Sequence, residues 1–508
     1  MRQYQTLDIN LLNTFLYKYF FFFAVFNFLL SFFSSEYLFL IFYTFSVFVF
    51  LIFFAKIIKD DFFIFFAQSS SIFLVILTQL TFIISFILSK LLFDINFEYF
   101  MNNFFFCNLK TYAYANVYLS FFSISLIFFN KIVPLELISI IRKKINIVNL
   151  NFKYKKLYIL IILCILIELI YLFTGNLGNQ LTGGFIVKDA EFIGALNEYD
   201  RVTWYTQFYY FVITFHLFLN LIFFSKKRKN LSNFALYFII ISLIINFLFY
   251  GFFLRRMAIQ FFFIAMVFYV FFKKQKISPR TIIFGILSFF LVFQFTNFLQ
   301  TIRTNESFNI GKNKTLIEIL NEGKIQDYFF EKDSYDLSKR NISSNISRRI
   351  FNNHELASLF YYEKGNRNIL KGQLLINHVI RAIPSKIFPN KHDYPIAEPL
   401  IATITDSPLF LNDTTDSFQS FSYADFGIFG LLIYPLILNV LILIIYKIIN
   451  LKIITNITGL FIVMLFLPLF TVRITEINIT DWLVLLRNTI IFILIFNFIF
   501  IEKNNSTK

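Results

Sequence analysis

Five arginines lie where a lipid-spanning chain should tolerate them least. Arg255 and Arg256 occupy the middle of GFFLRRMAIQFF (251–262), Arg303 follows a ninth apolar stretch, Arg473 an eleventh, and Arg487 sits about one turn inside a twelfth. A guanidinium is a planar fork of five donors that stays charged at every accessible pH. It suits phosphate oxygens, which it can hold two at a time. Spacing adds polar neighbours: Arg256 and Gln260 are four apart, and Thr296, Gln300 and Arg303 form an i, i+4, i+7 stripe on one helical face. Five such groups at one depth suggest an anionic site. The alternative is internal pairing, for which Glu168, Glu476 and Asp481 are available. Those acids are too few to neutralise every arginine.

A second basic group sits in a long polar segment. RAIPSKIFPNKHDYP (381–395) carries Arg381, Lys386 and Lys391, and its prolines 384, 389 and 395 forbid a continuous helix. The expectation is therefore a stiff, extended backbone presenting cations. Upstream, Arg348 and Arg349 open RRIFNNHELASLFYYEKG, in which Ile350, Leu356, Leu359, Phe360 and Tyr361 can line one helical face before Gly365. That face either packs on neighbours or lies on the membrane surface. Candidate general bases are His354, His378, His392, Asp413, Asp416 and Glu398. A lone histidine more often packs or caps, and the Asn, Asp and Thr of LNDTTDS more often make turns and caps than a metal or acid/base pair. Cys107 and Cys164 are too few for a disulfide framework or a zinc site, so they are read as structural thiols. No cofactor-binding motif and no metal site are recognised.

The elements that must position these groups follow from composition. With 58% hydrophobic and 15% charged residues and a mean hydropathy of +0.69, the chain is not a soluble domain. It reads as an all-α polytopic membrane protein with about twelve spans of roughly 20 residues each. They fall near 13–33, 37–55, 64–88, 113–133, 157–174, 204–224, 232–252, 257–272, 281–299, 424–446, 453–471 and 483–501. Residues 1–299 form a membrane domain of nine spans, 300–423 one large, mostly helical extracytoplasmic loop domain, and 424–508 three more spans and a short tail. The first span shows no cleavage pattern and is read as uncleaved. Basic runs such as KIIKDD, RKKINIVNLNFKYKK, SKKRKN and KKQKISPR fall on alternate loops, which makes both termini cytoplasmic. Trp204 and Trp482 then lie at outer span ends, where an aromatic belt belongs.

The net charge of +16 is mostly topological. Of the outer basic residues, fifteen lie in 300–423, where fourteen acids nearly cancel them, so nucleic-acid binding is not indicated. Sidedness also explains GFFLRR. From Arg256 to Lys273 is 17 residues, about 26 Å at a rise of about 1.5 Å, slightly short of the roughly 30 Å hydrocarbon core. The pair is therefore a tight turn at the outer interface. An arginine at the bilayer centre costs roughly 3 kcal/mol and less near the boundary, so a compensating anion is expected. An anion at headgroup depth beside apolar chain is most economically a lipid phosphate or pyrophosphate.

With spans, sidedness and loop in place, the chain resembles the bacterial oligosaccharide repeat-unit polymerases of O-antigen and capsule synthesis. The local likeness lies in RAIPSKIFPNK, in NDTTDSFQSFSYADFGIFG leading into the tenth span, and in GFFLRRMA between two middle spans. The resemblance implies a membrane-embedded, metal-independent glycosyltransferase of GT-C-like type in the bacterial cytoplasmic (inner) membrane. Its substrates would be undecaprenyl-pyrophosphate-linked oligosaccharides, and a chain-length regulator membrane protein would be a partner. Arg255, Arg256 and Arg303 would hold the donor pyrophosphate, with Arg381 reaching in from the loop and Arg348, Arg349, Lys391, Arg473 and Arg487 in support; His354 or Asp413 would serve as base. An O-antigen ligase shares the late loop and arginines and stays open as an alternative. A flippase of the same lipid-linked units is the rival of another class; no internal repeat, midplane ionisable group or ATP-binding glycine loop is read for it.

Overall fold

The computed structural model describes residues 2–33, 35–58, 68–80, parts of 82–90, 96–104, 107–130, 154–173, 204–225, 233–253, parts of 264–267, 354–361, 369–395, 400, 417–470 and 479–499. Among these residues every regular element is helical. In chain order they are α1 (Arg2–Leu30), α2 (Glu36–Ile58), α3 (Ser69–Val75, continued by a π-helical turn Ile76–Leu80), α4 (Phe97–Phe104), α5 (Leu109–Phe129), α6 (Tyr154–Phe173), α7 (Trp204–Ser225) and α8 (Asn233–Phe253). Then come α9 (His354–Tyr361), α10 (Gln373–Ala382), α11 (Phe418–Phe426), α12 (Gly430–Asn450), α13 (Asn456–Phe470) and α14 (Ile479–Ile499). Four apolar stretches within them are long enough to cross a membrane: 10–30, 36–56, 109–129 and 418–450. The expected spans 257–272 and 281–299 fall largely or wholly outside the described residues.

Two compact units share the chain. One comprises residues 1–142, 345–455 and 468–508; the other comprises 143–344 and 456–467. The first is organised around α5, on which α1, α9 and α12 pack. Helix α5 begins with a reciprocal cap: Thr111 N donates to Asn108 Oδ1 (2.9 Å) and Asn108 N to Thr111 Oγ1 (3.0 Å). A polar ladder then crosses it. Asn116 Nδ2 donates to the Tyr43 hydroxyl (2.6 Å), which donates to Asn27 Oδ1 (2.6 Å), while Tyr19 donates to Gln79 Oε1 (2.6 Å). In hydrocarbon such groups find no water, so satisfying one another fixes the rotation of α1, α2 and α5. The outward faces are apolar: Ile41, Phe45, Phe48 and Ile52 of α2 are all more than half exposed, as a lipid-facing surface requires.

The second unit is built on α6, α7 and α8, with Phe211, Phe215 and Phe218 of α7 packed around Phe461 of α13. Phe234, Tyr237, Ile241 and Ile244 of α8 face outward. Cys107 and Cys164 are free and buried, one in each unit. Trp482 differs from expectation: it is fully buried inside the first unit rather than exposed in an interfacial belt.

Candidate functional site

The best-defined cationic site is assembled by α10, the turn that follows it, and α14. Helix α10 has no side-chain cap of its own, since Gly372 (φ +89°) stands at its N-cap. Asp425, from α11, caps it instead: Oδ1 accepts from Leu374 N (3.0 Å) and Oδ2 from Leu375 N (2.8 Å). The Tyr434 hydroxyl donates to the same Oδ2 at 2.8 Å. A carboxylate at a helix N-terminus meets the orphan N–H groups and the favourable end of the dipole. The first half of the SYADFGIFG motif is thereby structural.

The glycines of that motif are structural as well. A Cβ at Gly430 would lie 2.0 Å from the Ser422 carbonyl oxygen and 2.8 Å from the Tyr118 hydroxyl, so only glycine lets α12 start there. Tyr118 of α5 bonds Ser422 Oγ (2.8 Å) and donates to the Gly427 carbonyl (3.2 Å), which locks this corner onto the central helix. Helix α9 completes the wall: Leu356 and Leu359 are buried, and the Phe360 ring lies tilted against Tyr423 at 4.5 Å between centroids. Leu356 and Leu359 thus pack on protein, while Tyr361 is exposed and Ile350 lies outside the described residues.

Helix α10 ends at Ile383, whose extended backbone (φ −71°, ψ 138°) is what a residue before proline prefers. The segment beyond is not extended, contrary to expectation. Ile387 N and Phe388 N both return to the Pro384 carbonyl (2.9 and 3.1 Å), and Pro389–Asp393 make a 3₁₀ turn. Proline sets φ for such turns as readily as it breaks a helix. The consequence is that the chain doubles back: Arg381 Nε donates to the Tyr394 carbonyl (2.8 Å), and Lys391 Nζ to the Arg381 carbonyl (3.1 Å).

Helix α14 closes the site. His378 Nδ1 lies 2.8 Å from Thr480 Oγ1, and Thr480 donates to the His378 carbonyl (3.1 Å). About two turns further on, Arg487 donates through Nη1 to the Ala382 carbonyl and through Nε to Asn488 Oδ1 (3.1 Å). Arg381, Lys391 and Arg487 are close enough that the two guanidinium charges, after burial, hold the Lys391 ammonium below its ordinary range. Burial also lowers Arg381, with Asp393 opposing that shift. Among the described residues, no carboxylate lies within ion-pair reach of Lys391 or Arg487. Three half-buried cations are an arrangement that an anion with several oxygens would relieve.

Of the residues singled out from sequence, the structure thus brings together Arg381, Lys391 and Arg487. Lys386 is exposed on the turn between them. His354 is buried at the start of α9 and His378 is buried between α10 and α14, next to Phe421. Burial drives the His378 imidazole down to about 3, too low for a useful base near neutral pH. Arg255, Arg256, Arg303, Arg348, Arg349, Arg473, Asp413, Asp416 and Glu398 lie outside the described residues, as does the His392 side chain. Glu168 lies 2.9 Å from His216 Nδ1, and the arginines considered as its partners, Arg487 apart, lie outside the described residues. Sequence reading overlooked His216, although a histidine inside an apolar span is itself a signal. Set against protein-family models, curated proteins and solved structures, the chain matches none.

Proposed function

We propose that this chain is a membrane-embedded glycosyltransferase that polymerises undecaprenyl-pyrophosphate-linked oligosaccharide repeat units at the outer face of the bacterial cytoplasmic membrane. On this reading it has twelve spans and cytoplasmic termini. The observation that carries the proposal is the convergence of Arg381, Lys391 and Arg487 in one half-buried cluster on the late loop and the last helix. A pyrophosphate leaving group gains negative charge as its bond to the anomeric carbon breaks, and preorganised cations stabilise that charge. The acceptor hydroxyl attacks the anomeric carbon, pyrophosphate departs with the bonding electrons, and the hydroxyl proton passes to a base, for which Asp413 is the candidate. Arg255, Arg256 and Arg303 belong to the same proposal as donor-side ligands.

Deleting the gene and analysing surface glycans tests this reading. Single repeat units in place of polymer support it, and unchanged chain length overturns it. Polymer stranded on its lipid carrier would indicate the ligase. Arg255→Ala, Arg256→Ala and Arg487→Ala should each abolish polymer while the protein still inserts. One observation favours the flippase as a second reading: an ionisable pair, Glu168 and His216, is buried within helices of the second unit. Transporters commonly carry such groups.

A further inference from the structure

Helix α10 is inverted relative to a water-facing helix. Its inner face buries Leu374, Asn377, His378 and Ala382, and the two polar members are spent on protein: Asn377 Nδ2 donates to the Pro395 carbonyl (2.6 Å), and His378 Nδ1 lies 2.8 Å from Thr480 Oγ1. Its outer face is apolar. Ile376 is 58% exposed and Val379, three residues on and on the same side, is 46% exposed, while Ile387 of the returning turn is 74% exposed. Lys371 before the helix and Lys386 beside Ile387 are exposed as well. A helix facing water turns its apolar stripe inward and its polar residues out.

Helix α12 sets the depth of this face. Residues 418–450 form one stretch long and apolar enough to cross a membrane, and exposed Lys447 marks one end of it. Gly427 lies 20 residues before Lys447, about 30 Å at the helical rise, which matches the thickness of a hydrocarbon core. Ile428 and Phe429, each 75% exposed, therefore stand at its rim, and Leu432, Leu436 and Val440 continue from Ile428 at four-residue spacing as a lipid-facing stripe. The approach to α10 is fixed to that rim. Leu370 N donates to the Ala424 carbonyl (3.1 Å), Asp425 caps the helix, and a Cβ on Gly427 would lie 3.2 Å from Cδ1 of exposed Ile369. The far end is held down too: Arg487, about two turns into α14, reaches the Ala382 carbonyl.

An apolar face that begins at the hydrocarbon rim, next to a stripe already turned to lipid, and carries a lysine at each end has the chemistry of a helix lying in a membrane interface. We propose that α10 and the turn after it dock on the bilayer surface at the Gly427 end of α12. Ile376, Val379 and Ile387 enter the upper acyl region, and the Lys371 and Lys386 ammonium groups extend to the lipid phosphates. Lipid is the occupant because the neighbouring α12 stripe faces acyl chains and because lysine suits anionic headgroups, whereas protein–protein contacts are depleted in it. Docking holds Arg381 and Lys391, which belong to the same segment, at headgroup depth. The inference rests on the membrane reading alone and does not depend on the proposed polymerase activity.

The test is a depth measurement by electron paramagnetic resonance on the full-length chain, held as single copies in lipid nanodiscs that contain phosphatidylglycerol. Buried Cys107 and Cys164 are replaced by Ser, and a nitroxide is attached in turn at Ile376→Cys, Val379→Cys, Ile387→Cys and, as the lipid-facing reference, Leu432→Cys. Dissolved oxygen concentrates among acyl chains and a hydrophilic nickel chelate stays in water. Relaxation by oxygen should exceed relaxation by the chelate several-fold at Ile376, Val379 and Ile387, as at Leu432. A chelate-dominated signal at these positions overturns the proposal by placing the face in water, and a label that neither reagent reaches overturns it in favour of a protein cover. Should a labelled variant fail to fold, hydroxyl-radical footprinting of the unlabelled chain in the same nanodiscs decides: protection of Ile376, Val379 and Ile387 to the level of Leu432 is expected, and their oxidation overturns the proposal.

Discussion

Acidifying the medium from about pH 6.5 to about pH 5 should loosen α10 from α14, and His378 is the reason. Its Nδ1–H donates to Thr480, its Nε2 is buried without a partner, and it is 0% exposed. Burial lowers the folded-state value to about 3 from an ordinary 6.5. The sign follows from proton counts: below 6.5 the opened state takes up a proton that the closed state refuses, so stability is lost as pH falls. Above 6.5 neither state is charged and no dependence remains. Each unit of pH in that window is worth about 1.4 kcal/mol, so the drop to about pH 5 costs about 2 kcal/mol. Read by hydrogen exchange as the protection factor of α10 amides, with the intrinsic pH dependence of exchange divided out, that is roughly a thirty-fold fall in protection. His378→Asn retains a donor toward Thr480 but does not titrate, so its protection factors should be flat over the same range. An acid slope that survives in His378→Asn, or none in the wild type, would refute the reasoning.

Other consequences are equally direct. Replacing Arg487 by Ala removes one of the charges that depress Lys391, so the lysine should stay protonated to higher pH, checked by the pH dependence of amine labelling. Inorganic pyrophosphate should protect Lys391 from that reagent in the wild type, with protection fading as salt is raised; salt-independent labelling would argue against an anion site. Gly430→Ala forces a Cβ against the Ser422 carbonyl and should cost about 1–3 kcal/mol in thermal unfolding. Asp425→Ala strips α10 of its cap and leaves Tyr434 without its acceptor, a loss of about 3 kcal/mol, and Asp425→Asn should recover part of it.

Much of this architecture is legible before any coordinates. Apolar length locates the described membrane helices, because a bilayer imposes that rule on the linear chain. Several details are not legible, for reasons of tertiary geometry. The cap of α10 comes from Asp425, 51 residues after Leu374, and no local pattern announces a cap supplied from that distance. Pro384 and Pro389 signal that a helix must end, but not whether extension or a turn follows; the returning hydrogen bonds decide that. His216 is a single polar letter in an apolar run, and only its position opposite Glu168 gives it meaning.

The grip of Asp425 on the start of α10 has a mechanical corollary. Because Leu374, Leu375 and Tyr434 all bond one carboxylate, that side chain ties the start of α10 to α11 and α12 across a long stretch of sequence. A cut in the backbone between residues 396 and 416 leaves these three hydrogen bonds intact. An affinity tag or a protease site could be spliced in at that point, and the severed halves would still travel as one particle.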